Sequence, residues 1–139
     1  MENLNLADAF AKFGGKTASR LHTQSAIASD GAVILSCQAG QFVHPTRGVL
    51  RYEDRLSRDS DRPVESELLK QHLALARDGD LPIRMVVVTR NAKVAGKPSR
   101  SIHVRTDLVG KLTTFDGDHF IIDFVRTQDV RAVRARGAK

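Results

Sequence analysis

Residues 108–125 decide the fold: Leu108-Val109-Gly110-Lys111-Leu112-Thr113-Thr114-Phe115-Asp116-Gly117-Asp118-His119-Phe120-Ile121-Ile122-Asp123-Phe124-Val125. An Asp-Gly step sits between two apolar runs. Tight hairpin turns need positive φ, and glycine supplies it without a Cβ clash. The same signal recurs at Asp30-Gly31, between Ser25-Ala26-Ile27-Ala28-Ser29 and Ala32-Val33-Ile34-Leu35-Ser36. Two antiparallel hairpins therefore stand near opposite ends of the chain.

The register of the second hairpin follows from its pattern. Leu108, Leu112, Phe120, Ile122 and Phe124 all occupy even positions. They share a face if opposed residue numbers sum to an even value, which a three-residue loop with a glycine bulge provides. The other face then carries Val109, Lys111, His119, Ile121 and Asp123. That mixture of apolar and charged residues suits a binding cleft or a subunit contact, so the face is expected to be covered by another element of the chain or by a second subunit, with a homodimer through the 108–125 hairpin the favoured route.

Between the hairpins, Pro63 opens a helix and Gly79 ends it. Leu68, Leu69, His72, Leu73, Leu75 and Ala76 give it a broad apolar face. Ile83-Arg84-Met85-Val86-Val87-Val88 follows, and four consecutive apolar residues predict a central strand covered on both faces. An N-terminal helix runs from an Asn5 cap through Leu6, Ala9, Phe10 and Phe13 to Gly14-Gly15. Val49–Tyr52 and residues 100–105 read as further strands. The charged stretch 53–62 reads equally as a helix with Asp54–Arg58 and Arg55–Asp59 pairs or as a solvated loop or exposed turn, and the segment Asn91–Ser99 reads as a loop. The expected architecture is one α+β domain over residues 1–129: a mostly antiparallel twisted sheet of about five to seven strands, with two helices packed on one face. Residues 130–139 form a basic, frayed tail.

The chain has 139 residues, 41% of them apolar and 27% charged, enough for a core without staples. No run of about 18 apolar residues predicts a membrane span. The N-terminus lacks the pattern of a secretory signal, and Cys37 is the single cysteine. That usage fits a reducing cytoplasm and rules out an internal disulfide. No metal site or cofactor is expected: Asp116, Asp118, His119 and Asp123 match no calcium loop, since the invariant glycine position and the distal glutamate are missing. Phosphate-binding glycine loops, zinc-protease helices and nucleophile elbows are also missing.

The net charge of +6 is unevenly spread. Residues 1–83 hold ten Lys/Arg against eleven Asp/Glu, a net −1, while residues 84–139 hold twelve against five, a net +7. Such a field attracts polyanions. Arg90, Lys93, Lys97 and Arg100 crowd into eleven residues without an acid, and Arg105, Arg131, Arg134 and Arg136 extend the footprint. The leading expectation is a non-enzymatic protein that binds a polyanion, above all nucleic acid, through this basic half. The first alternative is a small-ligand-binding protein or small enzyme with a cleft near His72 that also gathers His22 and His44. The second is a homo-oligomeric interaction module.

Overall fold

The computed structural model describes residues 6–15, 24–59, 63–94 and 96–127, and within these the side chains of residues 58, 59, 64, 65, 90–94 and 97–100 lie outside the description. The elements run α1 (Leu6–Ala11), β1 (Ser25–Ile27), β2 (Val33–Gln38), a 3-10 turn (Ala39–Gln41), β3 (Phe42–Val43), β4 (Leu50–Arg55), a second 3-10 turn (Leu56–Asp59), α2 (Pro63–Gly79), β5 (Ile83–Val94), β6 (Lys97–Phe115) and β7 (His119–Arg126). The seven strands form one sheet in the order β1-β2-β5-β6-β7-β4-β3. Every pairing is antiparallel except β2 with β5. The fold is a mostly antiparallel α+β sheet with two helices.

The parallel pair explains the path of the chain. After β2 the backbone crosses to the far edge, lays down β3 and β4, and returns through α2 to place β5 beside β2. A parallel pair needs such a long crossover. β5 is thereby central, and Ile83, Met85, Val86 and Val88 are buried.

The helices do not share a face. Val33, Leu35 and Cys37 of β2 join Leu69, Leu73 and Ala76 of α2 in one buried cluster, with Tyr52, Phe120, Ile122 and Phe124. Ile34, between them, joins Leu6, Ala9 and Phe10 of α1 in a second cluster with Val86, Val88 and Ile102. Adjacent strand residues point to opposite faces, so α1 and α2 lie on opposite sides of the sheet. The uninterrupted apolar run of β5 demands this, since a strand apolar on both faces must be covered on both.

Local chemistry explains the boundaries. Gly14 has φ +78°, and a Cβ there would fall 2.5 Å from Ser29 Oγ. The Gly15 N–H donates to Phe10 O at 3.0 Å, closing α1. At the end of α2 the left-handed residue is Asp80 (φ 49°), one past the expected Gly79. The Leu81 N–H there donates back to Ala76 O. Leu75 is 52% exposed and lies off the buried stripe of Leu69, Leu73 and Ala76.

The second hairpin keeps its even-sum register from Leu108↔Arg126 to Leu112↔Ile122, then shifts to Thr114↔Ile121 and Phe115↔Phe120. The shift is a bulge at Thr113, whose hydroxyl donates to Ile121 O at 3.1 Å. The expected odd-length loop is replaced by a tighter turn. Asp116 N–H donates to His119 O, and Asp116 Oδ1 accepts from the N–H groups of Asp118 and His119 at 2.9 and 2.8 Å. These bonds hold the Asp116 carboxyl below its ordinary pKa.

Candidate functional site

The segment Asn91–Ser99 is not a loop but the end of a long β-ribbon. β5 runs unbroken to Val94 and β6 begins at Lys97, with Gly96 at positive φ in the turn. The ladder pairs Thr89↔Ser101, Arg90↔Arg100, Asn91↔Ser99 and Val94↔Lys97. A register shift leaves an extra residue on β5 between Asn91 and Val94, opposite Pro98. Proline has no N–H for a ladder, so a bulge is where it fits.

The ribbon outruns its neighbours. β2 pairs with β5 only as far as Val88, and β7 meets β6 only from Leu108 onward. Residues 89–101 are therefore an arm of two strands, roughly 20 Å and 17 Å long at about 3.3 Å per residue. The arm carries Arg90, Lys93, Lys97 and Arg100 and contains no acid and no aromatic residue.

The other expected cations are placed differently. Arg105 donates two bonds of 2.9 Å to Asp107, which raise the guanidinium pKa and lower that of the carboxyl. Its charge is largely neutralised, so it adds little to a basic footprint. Arg131, Arg134 and Arg136, with the tail that holds them, lie outside the described residues.

Of the expected histidines, the two that are described, His72 and His44, do not share a cleft. His72 is 9% exposed, and its Nδ1 lies 2.7 Å from Ser25 Oγ beneath β1. Burial lowers its pKa. His44 is exposed, just past β3 at the opposite edge of the sheet. His22 lies outside the described residues.

A cleft of about 500 Å³ opens elsewhere, where two-residue β3 leaves the end of β4 without a neighbour. Phe42 and Val43 wall it, and Glu53, Asp54, Arg55, Ser57 and His119 supply its polar groups. Sequence reasoning does not find this site. The charged stretch 53–62 reads as solvated, yet Asp54 is 7% exposed. Asp54 Oδ2 accepts from Tyr52 Oη at 2.6 Å and Oδ1 from the Arg55 N–H at 2.8 Å. Tyr52 Oη in turn accepts from the Gln38 N–H at 3.0 Å. Burial, with Cys37 and Asp54 close by, pushes the Tyr52 phenol well above its ordinary pKa. The period-two alternation around Tyr52 is the available signal, since it places Asp54 on the same face as Tyr52.

The polar residues on the mixed face of the second hairpin pair with the neighbouring strand β4. Arg51 of β4 opposes Asp123 and grips it with bonds of 2.7 and 3.0 Å. His119 Nε2 meets Glu53 Oε2. The Asp118 carboxylate takes the Ser57 N–H at 2.8 Å and lies 3.6 Å from Arg55. The polar residues thus form a cross-strand ladder of opposite charges with Ile121 half-buried among them. Among the described residues, no three His, Cys, Asp or Glu side chains group to hold a metal ion. No described helix is long and apolar enough to cross a membrane.

The fold and arm define a small α+β protein with a projecting basic ribbon. No family model, curated protein or solved structure matches the chain. Its function is read from its own geometry.

Proposed function

We propose that this chain binds a polyanion, nucleic acid above all, through the β5–β6 arm. One observation carries the reading: a two-stranded ribbon with four cations and no acid extends beyond its flanking strands. A cation on a ribbon loses less freedom on binding phosphate than one on a loose loop, because the backbone is already ordered. The register supports the reading further. Arg90 faces Arg100, and like charges directly opposed weaken a ladder unless a counter-charge joins them. A polyanion supplies that charge.

The test is a binding titration of labelled nucleic acid with wild-type protein and with a Lys93→Ala, Lys97→Ala, Arg100→Ala variant. The variant keeps the fold and binds at least about tenfold more weakly, because three of the arm's four cations are removed together. Equal affinity of the two proteins contradicts the assignment to the arm.

The cleft beside β3 favours a second reading, a small-ligand site. Its volume lies in the range of ligand pockets, and it joins apolar walls to convergent polar groups. The groups concerned are Arg55 and His119, in place of the His72 cluster expected from sequence. A ligand of this site raises the melting temperature of wild type and leaves an Arg55→Ala variant unmoved. An equal shift in both proteins removes the reading.

A further inference from the structure

We infer that the arm selects duplex DNA and lies in its major groove, an inference that rests on the polyanion reading and narrows it to one form of nucleic acid. Paired strands stand about 4.8 Å apart, so a two-stranded ribbon with side chains fits a groove about 12 Å wide. Among the described residues, no strand pairs with the outer edges of the arm beyond Val88 of β5 or before Leu108 of β6. The other strands of the sheet therefore leave the outer edges of the arm to a duplex.

Composition then separates the nucleic-acid forms. Residues 89–101 hold no Phe, Tyr, Trp or His. Binding of single strands depends on bases stacked on aromatic side chains, which this arm does not offer. The major groove of A-form RNA is deep and too narrow for a ribbon. B-form DNA alone presents a groove of the right width.

The residue types also suit base edges. Arginine pairs with guanine and asparagine with adenine in that groove. The register sets Arg90 and Arg100 opposite each other, and Asn91 and Ser99 on the next rung. Successive rungs face opposite ways, so the two arginines share one face of the ribbon and the Asn–Ser pair the other. The arginine face is the one to meet the bases, because a facing pair of cations gains most from the electronegative groove.

The test compares four probes with the full chain at one ionic strength: a mixed-sequence DNA duplex, the same sequence as duplex RNA, its single strand, and the DNA duplex with glucosylated 5-hydroxymethylcytosine. The sugars fill the major groove and leave the phosphates unchanged. The plain DNA duplex binds best, and glucosylation weakens it by at least about tenfold, the scale of a single bidentate pairing with a base. An Arg90→Ala, Arg100→Ala variant that keeps the wild-type circular dichroism loses the preference for DNA over RNA. Equal affinity for plain and glucosylated duplex overturns the groove assignment and leaves polyanion binding intact. Failure to bind any probe at low salt overturns the polyanion reading itself.

Discussion

Arg90 and Arg100 stand directly opposite each other in the β5–β6 ladder, one rung beyond Thr89↔Ser101 and two beyond Val88↔Ile102. The register thus sets two arginine positions opposite each other just beyond the last pairing of β2 with β5. Opposed like charges cost a ladder a few tenths to about 1 kcal/mol. Arg100→Thr should therefore raise the stability of the free protein by up to that amount while weakening its binding to polyanions. Thermal unfolding and a binding titration of the same variant check both halves. A variant that is less stable and binds as well as wild type contradicts the prediction.

Val86 sits in the middle of β5 and is fully buried, opposite Ser36 and Val104. Val86→Asp places an unpaired charge between the sheet and α1. A loss of several kcal/mol, on the order of 3–5, exceeds what most small domains can spare. The variant should lack a cooperative thermal transition. Retention of the wild-type midpoint would remove β5 from the core.

Tyr52 and Asp54 predict a smaller, more specific effect. Tyr52→Phe keeps the ring against Phe42 and Phe120 but removes the hydroxyl that serves Asp54 and the Gln38 N–H. Leaving buried polar groups without that partner costs about 1–3 kcal/mol. Denaturant unfolding should show the midpoint fall with the slope unchanged.

Gly110 is a close-approach position. It pairs with Phe124, and a Cβ there would lie 2.6 Å from the Phe124 ring. Gly110→Ala should destabilise by about 1–3 kcal/mol through overpacking. Phe124→Leu should cost less in the Gly110→Ala background than in wild type, because the clash is relieved. Additive costs in the double-mutant cycle would contradict the close approach.

His72 sets a pH dependence. Its folded-state pKa is lowered by burial, so the unfolded chain binds more protons as pH falls. Its contribution to stability is full above the unfolded value of about 6.5 and is lost progressively below it. His72→Gln, which cannot titrate there, should flatten the stability profile below that pH. An unchanged profile would assign the dependence to other groups.

Much of the fold is legible in the sequence. The two Asp-Gly hairpins, α2 and the central strand announce themselves because turn chemistry and apolar period are local signals. β3 is two residues long and too short to carry a pattern. The arm resembles a loop in sequence because Gly96 and Pro98 break strands in general, and only the pairing shows that one forms the turn and the other faces a bulge. The opposite placement of α1 and α2 is implicit in the unbroken apolar run of β5. Asp54 escapes notice because a run of charges conceals one residue on the buried face. The cleft is invisible for a different reason: Phe42, Glu53 and His119 meet only through the strand order β7-β4-β3.

The salt dependence of binding tests the central claim most directly. Each phosphate neutralised contributes about −0.9 to the slope of log K against log salt on B-form DNA. The slope for wild type is steep, and removing Lys93, Lys97 and Arg100 makes it shallower by roughly one unit for each phosphate no longer neutralised. A wild-type slope near zero, or one unchanged by the triple substitution, contradicts an arm that binds through its cations.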